Sequence, residues 1–483
     1  MGVRMVDAAE WSSADSGGTV AEATRHRAAR FLVRWRGSAI EDDVGMAVVS
    51  GGKESLGGAH RMDVVRGHLM PTGAQTKGQP RVCVLTSSFP DGADDSGGVF
   101  VREQVRRLSQ STFTEVVYPS RRASSMYRDE PFLRRRTRYP FRSPAMSQVR
   151  GVEYVRTLEA CTALALGTRS RRGYDLYHAY WAIPSGFVAR CVKGHRPLVI
   201  TLCGSDINTF ASKPGFRESV RWALAGATRV IAVSHELLDR AVDLGVDPAR
   251  GTVIPSGVDT EAFVPLVHKT WARRALGLPD SFLCVYVGSL FRSKRVDRIV
   301  RAIARVGKQN PCALAIVGDG PERSSLEMVA AECGCDVRFL GNRPHGEVAR
   351  IVSCCDSFVM ASTLEGLPTS VQEAMSCGVP VIAIDAGGLR EIVVDSVTGF
   401  LARDETGMSR MIRHLAEHRD VAANLGAQAR EFACSELSVE TCVERTLTVY
   451  ESCLRTASPH EPISSTSCPG RSARRANVRA LTR

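Results

Sequence analysis

Two carboxylates, Glu365 and Glu373, stand eight residues apart in the stretch EGLPTSVQEAMSCGVP. The apolar run SFVMAS before it reads as a strand, which leaves Glu365 and Gly366 in the loop that follows. Pro368 suits the first position of a helix, where its missing N–H costs nothing. Gly378 suits the close of that helix. At such a start the amides of Thr369 and Ser370 have no intrahelical partner, and they lie between the two acids. Acids on an ordinary solvated helix diverge. Acids on either side of free amides instead suit a ligand with a phosphate between hydroxyl-bearing parts, because a helix N-terminus favours anions and carboxylates accept from hydroxyls.

Further candidates for the same chemistry sit just past apolar runs. Gly288 follows CVYV, Gly318-Asp319-Gly320 follows LAIV, and Gly387-Gly388 comes after VIAID. Glycine there lets a ligand reach backbone amides, although strand-to-helix turns also use it for structural reasons alone. Lys294 comes six residues after Gly288, at the expected start of the following helix, with Arg292 and Arg295 beside it, so these side chains could offset a pyrophosphate or form a solvated charge run. GDGPE is not a full dinucleotide fingerprint. Cys333 and Cys335, and Cys354 and Cys355, lack His or Cys partners at zinc spacing, so no metal site is expected.

The elements that must position these residues fall into two series. From Arg81, VCVLT reads as a buried strand, and Gly97 and Gly98 open a helix with Phe100, Val101, Val105 and Leu108 on one side. DLYHAY, with a helix from Pro184, PLVITL, RVIAVS with the helix HELLDRAVDLG, and GTVIPSGVD continue the series. Residues 260–280 read as irregular. FLCVYV, CALAIV, DVRFLG, SFVMAS and VPVIAI then form a second series. Continuous apolar runs separated by helices indicate parallel strands covered on both faces. The expected organisation is a disordered or non-native extension over 1–79, α/β domains over 80–265 and 266–435, a helix over 436–455 and a disordered basic tail over 456–483. A ligand cleft is expected at the carboxyl ends of the strands.

A chain of 483 residues exceeds one core. Apolar content of 44% and charged content of 24% are those of a globular protein. No apolar run is long enough to span a bilayer, and the N-terminus lacks an export signal, so a cytoplasmic location is expected. The fifteen cysteines then read as free. Of the net charge of +12, the segments 121–142 and 456–483 hold +6 and +4. The body is therefore nearly neutral, and nucleic acid is not an expected partner. Translation from Met70 would remove most of the N-terminal extension.

From about Arg81 to Leu454 the chain resembles the retaining glycosyltransferases of family four, which have the GT-B fold. EGLPTSVQEA resembles the family's paired-glutamate signature, GSLFRSK its phosphate segment, and VIPSGVDTEAF the end of its N-terminal domain. GGLREIV, VTGFL and LTSSFPDGADDSGGVFVREQVRRL also resemble family segments. The resemblance implies two Rossmann-like domains facing across a cleft, with a C-terminal helix returning to the N-terminal domain. It implies a nucleotide-sugar donor on the C-terminal domain and a hydroxyl acceptor on the N-terminal one, in cell-envelope glycan, glycolipid or natural-product glycoside synthesis. Glu365 would meet the donor sugar and Glu373 the ribose. Lys294, with Arg292, would meet the diphosphate, with Gly288, Gly366, Thr369 and Ser370 around it and Gly341 to Arg343 beside the base. His178 and Asp206 are the candidate catalytic residues opposite. No cofactor or metal is expected.

Three positions depart from the family pattern. Ser289 stands where many relatives have Arg, Cys203 where His or Arg is common, and Tyr180 where a second His is found. They leave open an unusual acceptor, a GT-B epimerase or phosphorylase, or a sugar-nucleotide-binding protein with impaired transfer. The Arg121–Arg142 patch reads as a solvated loop, as a site for an anionic membrane surface and lipid-linked acceptor with the enzyme peripheral on the inner face, or as a nucleic-acid site.

Overall fold

The computed structural model describes residues 78–90, 97–120, 130–138, 152–168, 173–307 and 311–457. The readings made for 1–77 and 458–483 fall outside the described residues, as do positions 121–129 and 139–142 of the arginine patch.

The first sheet is built from β1 (Arg81–Leu85), β2 (Phe113–Ser120), β3 (Leu133–Arg138), β4 (Leu176–Tyr180), β5 (Leu198–Leu202), β6 (Arg229–Ala232) and β7 (Gly251–Val253). Its order is β3-β2-β1-β4-β5-β6-β7, with every pair parallel. The second contains β8 (Phe282–Val287), β9 (Cys312–Val317), β10 (Asp336–Gly341), β11 (Ser357–Met360), β12 (Val381–Ile384) and β13 (Gly399–Ala402), ordered β10-β9-β8-β11-β12-β13. β4, β5, β11 and β12 are buried at every position. That burial is what an unbroken apolar run predicts for a strand covered on both faces. In each sheet the strand order reverses direction once, between β1 and β4 and between β8 and β11. A crevice opens at the carboxyl ends of strands at such a point.

The final helix, Val439–Ala457, packs on the helix Val99–Leu108 and on β4. Its Val439, Cys442, Tyr450 and Cys453 share a core with Val82, Val84 and Tyr180. It therefore returns to the first domain, and the architecture is GT-B.

Several local readings need correction. Pro368 caps its helix from outside, at φ −65° and ψ 125°, and the helix runs Thr369–Ser376. Lys294 ends a 3₁₀ turn, Arg292–Lys294, and the α-helix starts at Val296 because Arg295 is left-handed at φ 48°. The helix expected from Pro184 becomes regular only at Phe187. Residues Lys269–Ala275, inside the stretch read as irregular, are helical. Part of the arginine run forms the edge strand β3. Phe100 packs at the edge of the core formed with Val101, Val105 and Leu108 and also lines the cleft. Among the described residues, no helix is long and apolar enough to cross a membrane.

Candidate functional site

A cleft of about 600 Å³ lies where the two switch points face each other, a volume in the range of small-molecule sites. The loop after β11 brings Glu365 to it. Glu365 Oε1 receives a hydrogen bond from Lys294 Nζ at 2.6 Å, with the two side chains 10% and 28% exposed. Glycine is required in this loop by close approach. A Cβ on Gly366 would stand 2.9 Å from the Cys203 carbonyl oxygen, and one on Gly387 would stand 2.4 Å from the Glu365 carbonyl oxygen. The two domains touch here, since Asn208 Nδ2 also donates to that Glu365 carbonyl at 3.3 Å.

Thr369, Ser370 and Glu373 all line the cleft at the start of the helix Thr369–Ser376. No side chain caps that helix, so its first amides face the cleft without an intrahelical acceptor. Glu373 Oε1 lies 2.9 Å from His345 Nε2. His345 begins the helix His345–Ser353 and packs against Phe263, ring centroids 4.9 Å apart. Burial alone would lower its pKa. The hydrogen bond and charge of Glu373, with the charges of Glu103 and Asp259, outweigh that and raise it above the usual histidine range. The segment FLGNRPH expected beside the base ends on His345, but nothing in the sequence reading assigns that residue a role. The Pro-His pair opening the next helix was the available signal.

Among the other donor-side candidates, Gly288, Gly366 and Arg343 line the cleft, with Ser289 and Asn342 beside them. Gly341 does not. It is left-handed at φ 69°, and its carbonyl accepts from the Gly318 N–H at 2.9 Å, which holds the turn before Asn342. Arg292 is exposed and does not line the cleft. A 3₁₀ turn spreads three successive side chains around its axis, and here Ser293 and Lys294 face inward.

The opposite wall changes the sequence picture more. Gly98 is left-handed at φ 74°, and a Cβ there would come 2.2 Å from the Ser88 carbonyl oxygen. Gly97 precedes it as part of the same turn. This turn launches the helix Val99–Leu108, whose Val99, Phe100 and Glu103 line the cleft. Cys203 lines it too, and burial pushes its thiol well above the ordinary range.

His178, Tyr180 and Asp206 are not brought to the cleft. His178 is 1% exposed, with Nδ1 2.7 Å from the Tyr450 hydroxyl and Nε2 2.7 Å from Thr201 Oγ1. Burial lowers its pKa to about 3, so it stays neutral and both nitrogens are engaged. Tyr180 stacks on it, centroids 4.5 Å apart, and donates to Gln104 Oε1 at 2.5 Å. Gln104 Nε2 in turn donates to the Ser256 carbonyl at 2.6 Å. Asp206 is fully buried and accepts from the amides of Ala182 and Gly204, each at 3.0 Å, and of Ile207 at 3.2 Å. These residues hold the wall together; Trp181, next to Tyr180, is the one that lines it.

Glu391, in the stretch GGLREIV, also crosses between the domains. Its carboxylate accepts from the amides of His235 and Glu236 at 2.8 and 3.1 Å, at the start of the helix His235–Asp243.

Residues 97–262 match the Glycosyltransferase Family 4 pattern, and residues 269–432 match Glycosyl transferases group 1. A Bacillus subtilis glycosyltransferase assigned to teichuronic acid biosynthesis, TuaC, is 33% identical over 333 residues, which are 65% of this chain and 82% of that one. The N-acetyl-alpha-D-glucosaminyl L-malate synthase of Bacillus anthracis is 28% identical over 59% of this chain and 76% of its own. In fold, the chain is similar to HepE of Anabaena, with a TM-score of 0.62 and 20% identity over 77% of this chain and all of that one. The chain thus belongs to the group 1, family 4 glycosyltransferases, and it is an enzyme of glycosyl transfer.

Proposed function

We propose that the cleft binds a nucleoside diphosphate sugar on the second domain and passes the sugar, with retention at the anomeric carbon, to a hydroxyl of an acceptor on the first. The observation that carries this reading is the convergence of Lys294, Glu365, Glu373 and an uncapped helix start on one cavity. In this reading the Thr369 and Ser370 amides and Lys294 take the diphosphate, Glu373 takes the ribose hydroxyls while His345 orients it, and Glu365 holds the sugar hydroxyls. The bond from the anomeric carbon to the phosphate oxygen breaks, and the bond to the acceptor oxygen forms on the same face. The acceptor proton goes to the departing phosphate oxygen. Lys294 and the helix amides supply the charge stabilisation that a divalent ion gives elsewhere. With His178 and Tyr180 enclosed in the wall, the Tyr180 departure carries no weight for the chemistry.

UDP is the first nucleotide to test, because HepE is known in complex with UDP and glucose. Synthesis of a cell-envelope glycan is the pathway reading, supported by the relative named for teichuronic acid. Calorimetry with UDP, GDP and ADP, then NMR of the product anomer, tests the proposal. Failure to bind any of the three at millimolar concentration, or an inverted product, would sink it.

A further inference from the structure

The wall opposite the donor machinery carries an aromatic surface with carboxylates beside it. Trp181 follows β4, lines the cleft and remains partly exposed, at φ 69° and ψ 135°. A bulky residue adopts a left-handed setting at a cost of about 1–3 kcal/mol, and such residues gather at functional sites. The wall holds it there, with the Trp181 N–H donating to the Thr201 carbonyl at 2.8 Å and the Gly186 N–H donating to the Trp181 carbonyl at 3.0 Å. Phe100 meets the indole edge to face, centroids 5.8 Å apart.

Glu103, one turn further along the helix from Phe100, also lines the cleft. Arg107 Nη1 reaches its Oε2 at 2.8 Å and Arg102 Nη1 its Oε1 at 3.2 Å; Arg107 also pairs with Asp259 at 2.8 Å and Glu440 at 2.5 Å, and Arg102 with Glu130 at 2.8 Å. Two guanidiniums are thus shared among four carboxylates, Glu103, Glu130, Asp259 and Glu440, and neither Arg102 nor Arg107 lines the cleft. Among the described residues, the charged side chains that this wall presents are Glu103 and Asp259.

A ring face packs against the C–H groups of a pyranose, and a carboxylate accepts from its hydroxyls. The same carboxylates repel an anion brought close to them. We propose that Trp181, backed by Phe100 and flanked by Glu103, is the acceptor subsite, and that the acceptor group seated there is a neutral glycoside rather than a small carboxylate or phosphate. This rests on the glycosyl-transfer reading above and gives it a substrate class.

The test reads binding with UDP at saturation, so that the phosphate site of Lys294 and the Thr369 and Ser370 amides is filled and no transferable sugar is present. Saturation-transfer NMR on the full chain would compare methyl and octyl pyranosides with L-malate and glycerol 3-phosphate. The expectation is that at least one glycoside binds at millimolar concentration and neither anion does. Trp181→Ala should raise the glycoside Kd about tenfold, Trp181→Phe should stay within about threefold, and Glu103→Gln should weaken binding several-fold. An unchanged melting temperature in Trp181→Phe and Glu103→Gln separates lost contact from lost fold. Binding of the anions alone, binding of no panel member at 20 mM (roughly the limit for a usable subsite), or equal glycoside binding by wild type and Trp181→Ala would overturn the proposal. Glycoside binding that depends on Trp181 supports the subsite even where no sugar transfer follows, so failure of the transfer reading shows up separately.

Discussion

Replacing Lys294 by Met keeps the length of the side chain and removes its charge. Lys294 Nζ stands 2.6 Å from Glu365 Oε1 and is the cleft-facing cation of its turn. If it meets the diphosphate, the variant loses one charge-assisted bond, worth about 1.5–3 kcal/mol. That corresponds to a UDP Kd about 10–150-fold higher. Uridine has no phosphate, so its affinity should hold within about twofold. The exchange also strands the Glu365 carboxylate, which is only 10% exposed. The pair itself is partly open to solvent and contributes at most about 1 kcal/mol, and desolvation of the lone acid adds about as much again. A loss of about 1–2 kcal/mol in urea unfolding is therefore expected. The double variant Lys294→Met/Glu365→Gln should recover much of that stability and none of the UDP affinity. Calorimetry with both ligands on all three proteins decides the matter. A UDP Kd within threefold of wild type, or uridine weakened as much as UDP, would refute the assignment of Lys294 to the phosphates.

The folded pKa of His345 is raised, so its charge and its pairing with Glu373 are complete below about pH 6.5 and are lost as pH rises through the folded value. Uridine affinity of the wild type should fall over that rise, and His345→Asn should show a flat profile; parallel profiles would count against this role. His178 has the opposite sign, because its folded pKa of about 3 lies below the unfolded 6.5. Its contribution is present above pH 6.5 and declines by about 1.4 kcal/mol per pH unit below that. His178→Asn should lower the melting temperature at neutral pH and flatten the acid limb, with kcat changed less than about fivefold. A thousandfold fall in kcat at unchanged stability would restore it as a catalytic residue. Glu391→Gln weakens a charge at a helix start, worth about 0.3–1 kcal/mol, and should give a larger radius of gyration in X-ray scattering and a several-fold higher donor KM. Scattering identical to wild type would remove Glu391 from domain contact in solution.

The readable part of this chain was local. Apolar runs such as LVITL and VIAI bury every position because a central parallel strand is covered on both faces. Gly98 and Gly378 take left-handed φ at the start and end of helices where the sequence placed them. The spacing of Glu365 and Glu373, with free amides between them, already marked a site for a hydroxyl- and phosphate-bearing ligand. The helix Lys269–Ala275 was hidden because Pro265 and Pro279, on either side of it, made the whole stretch look broken.

Which polar residues face the cleft was decided only by the tertiary structure. Along β4 the side chains alternate, so His178 and Tyr180 share a face, and in isolation that face could have been a reactive one. The helix Val439–Ala457 covers it, and Tyr450 reaches His178 from 272 residues further along the chain. Likewise, Glu373 meets His345 from a neighbouring helix, and Arg107 draws together Asp259, from the loop after β7, and Glu440, from the first turn of the final helix. Local spacing fixes the period of an element and the place where it ends. The packing of elements far apart in the chain settles whether a given side chain meets solvent, a ligand or another side chain.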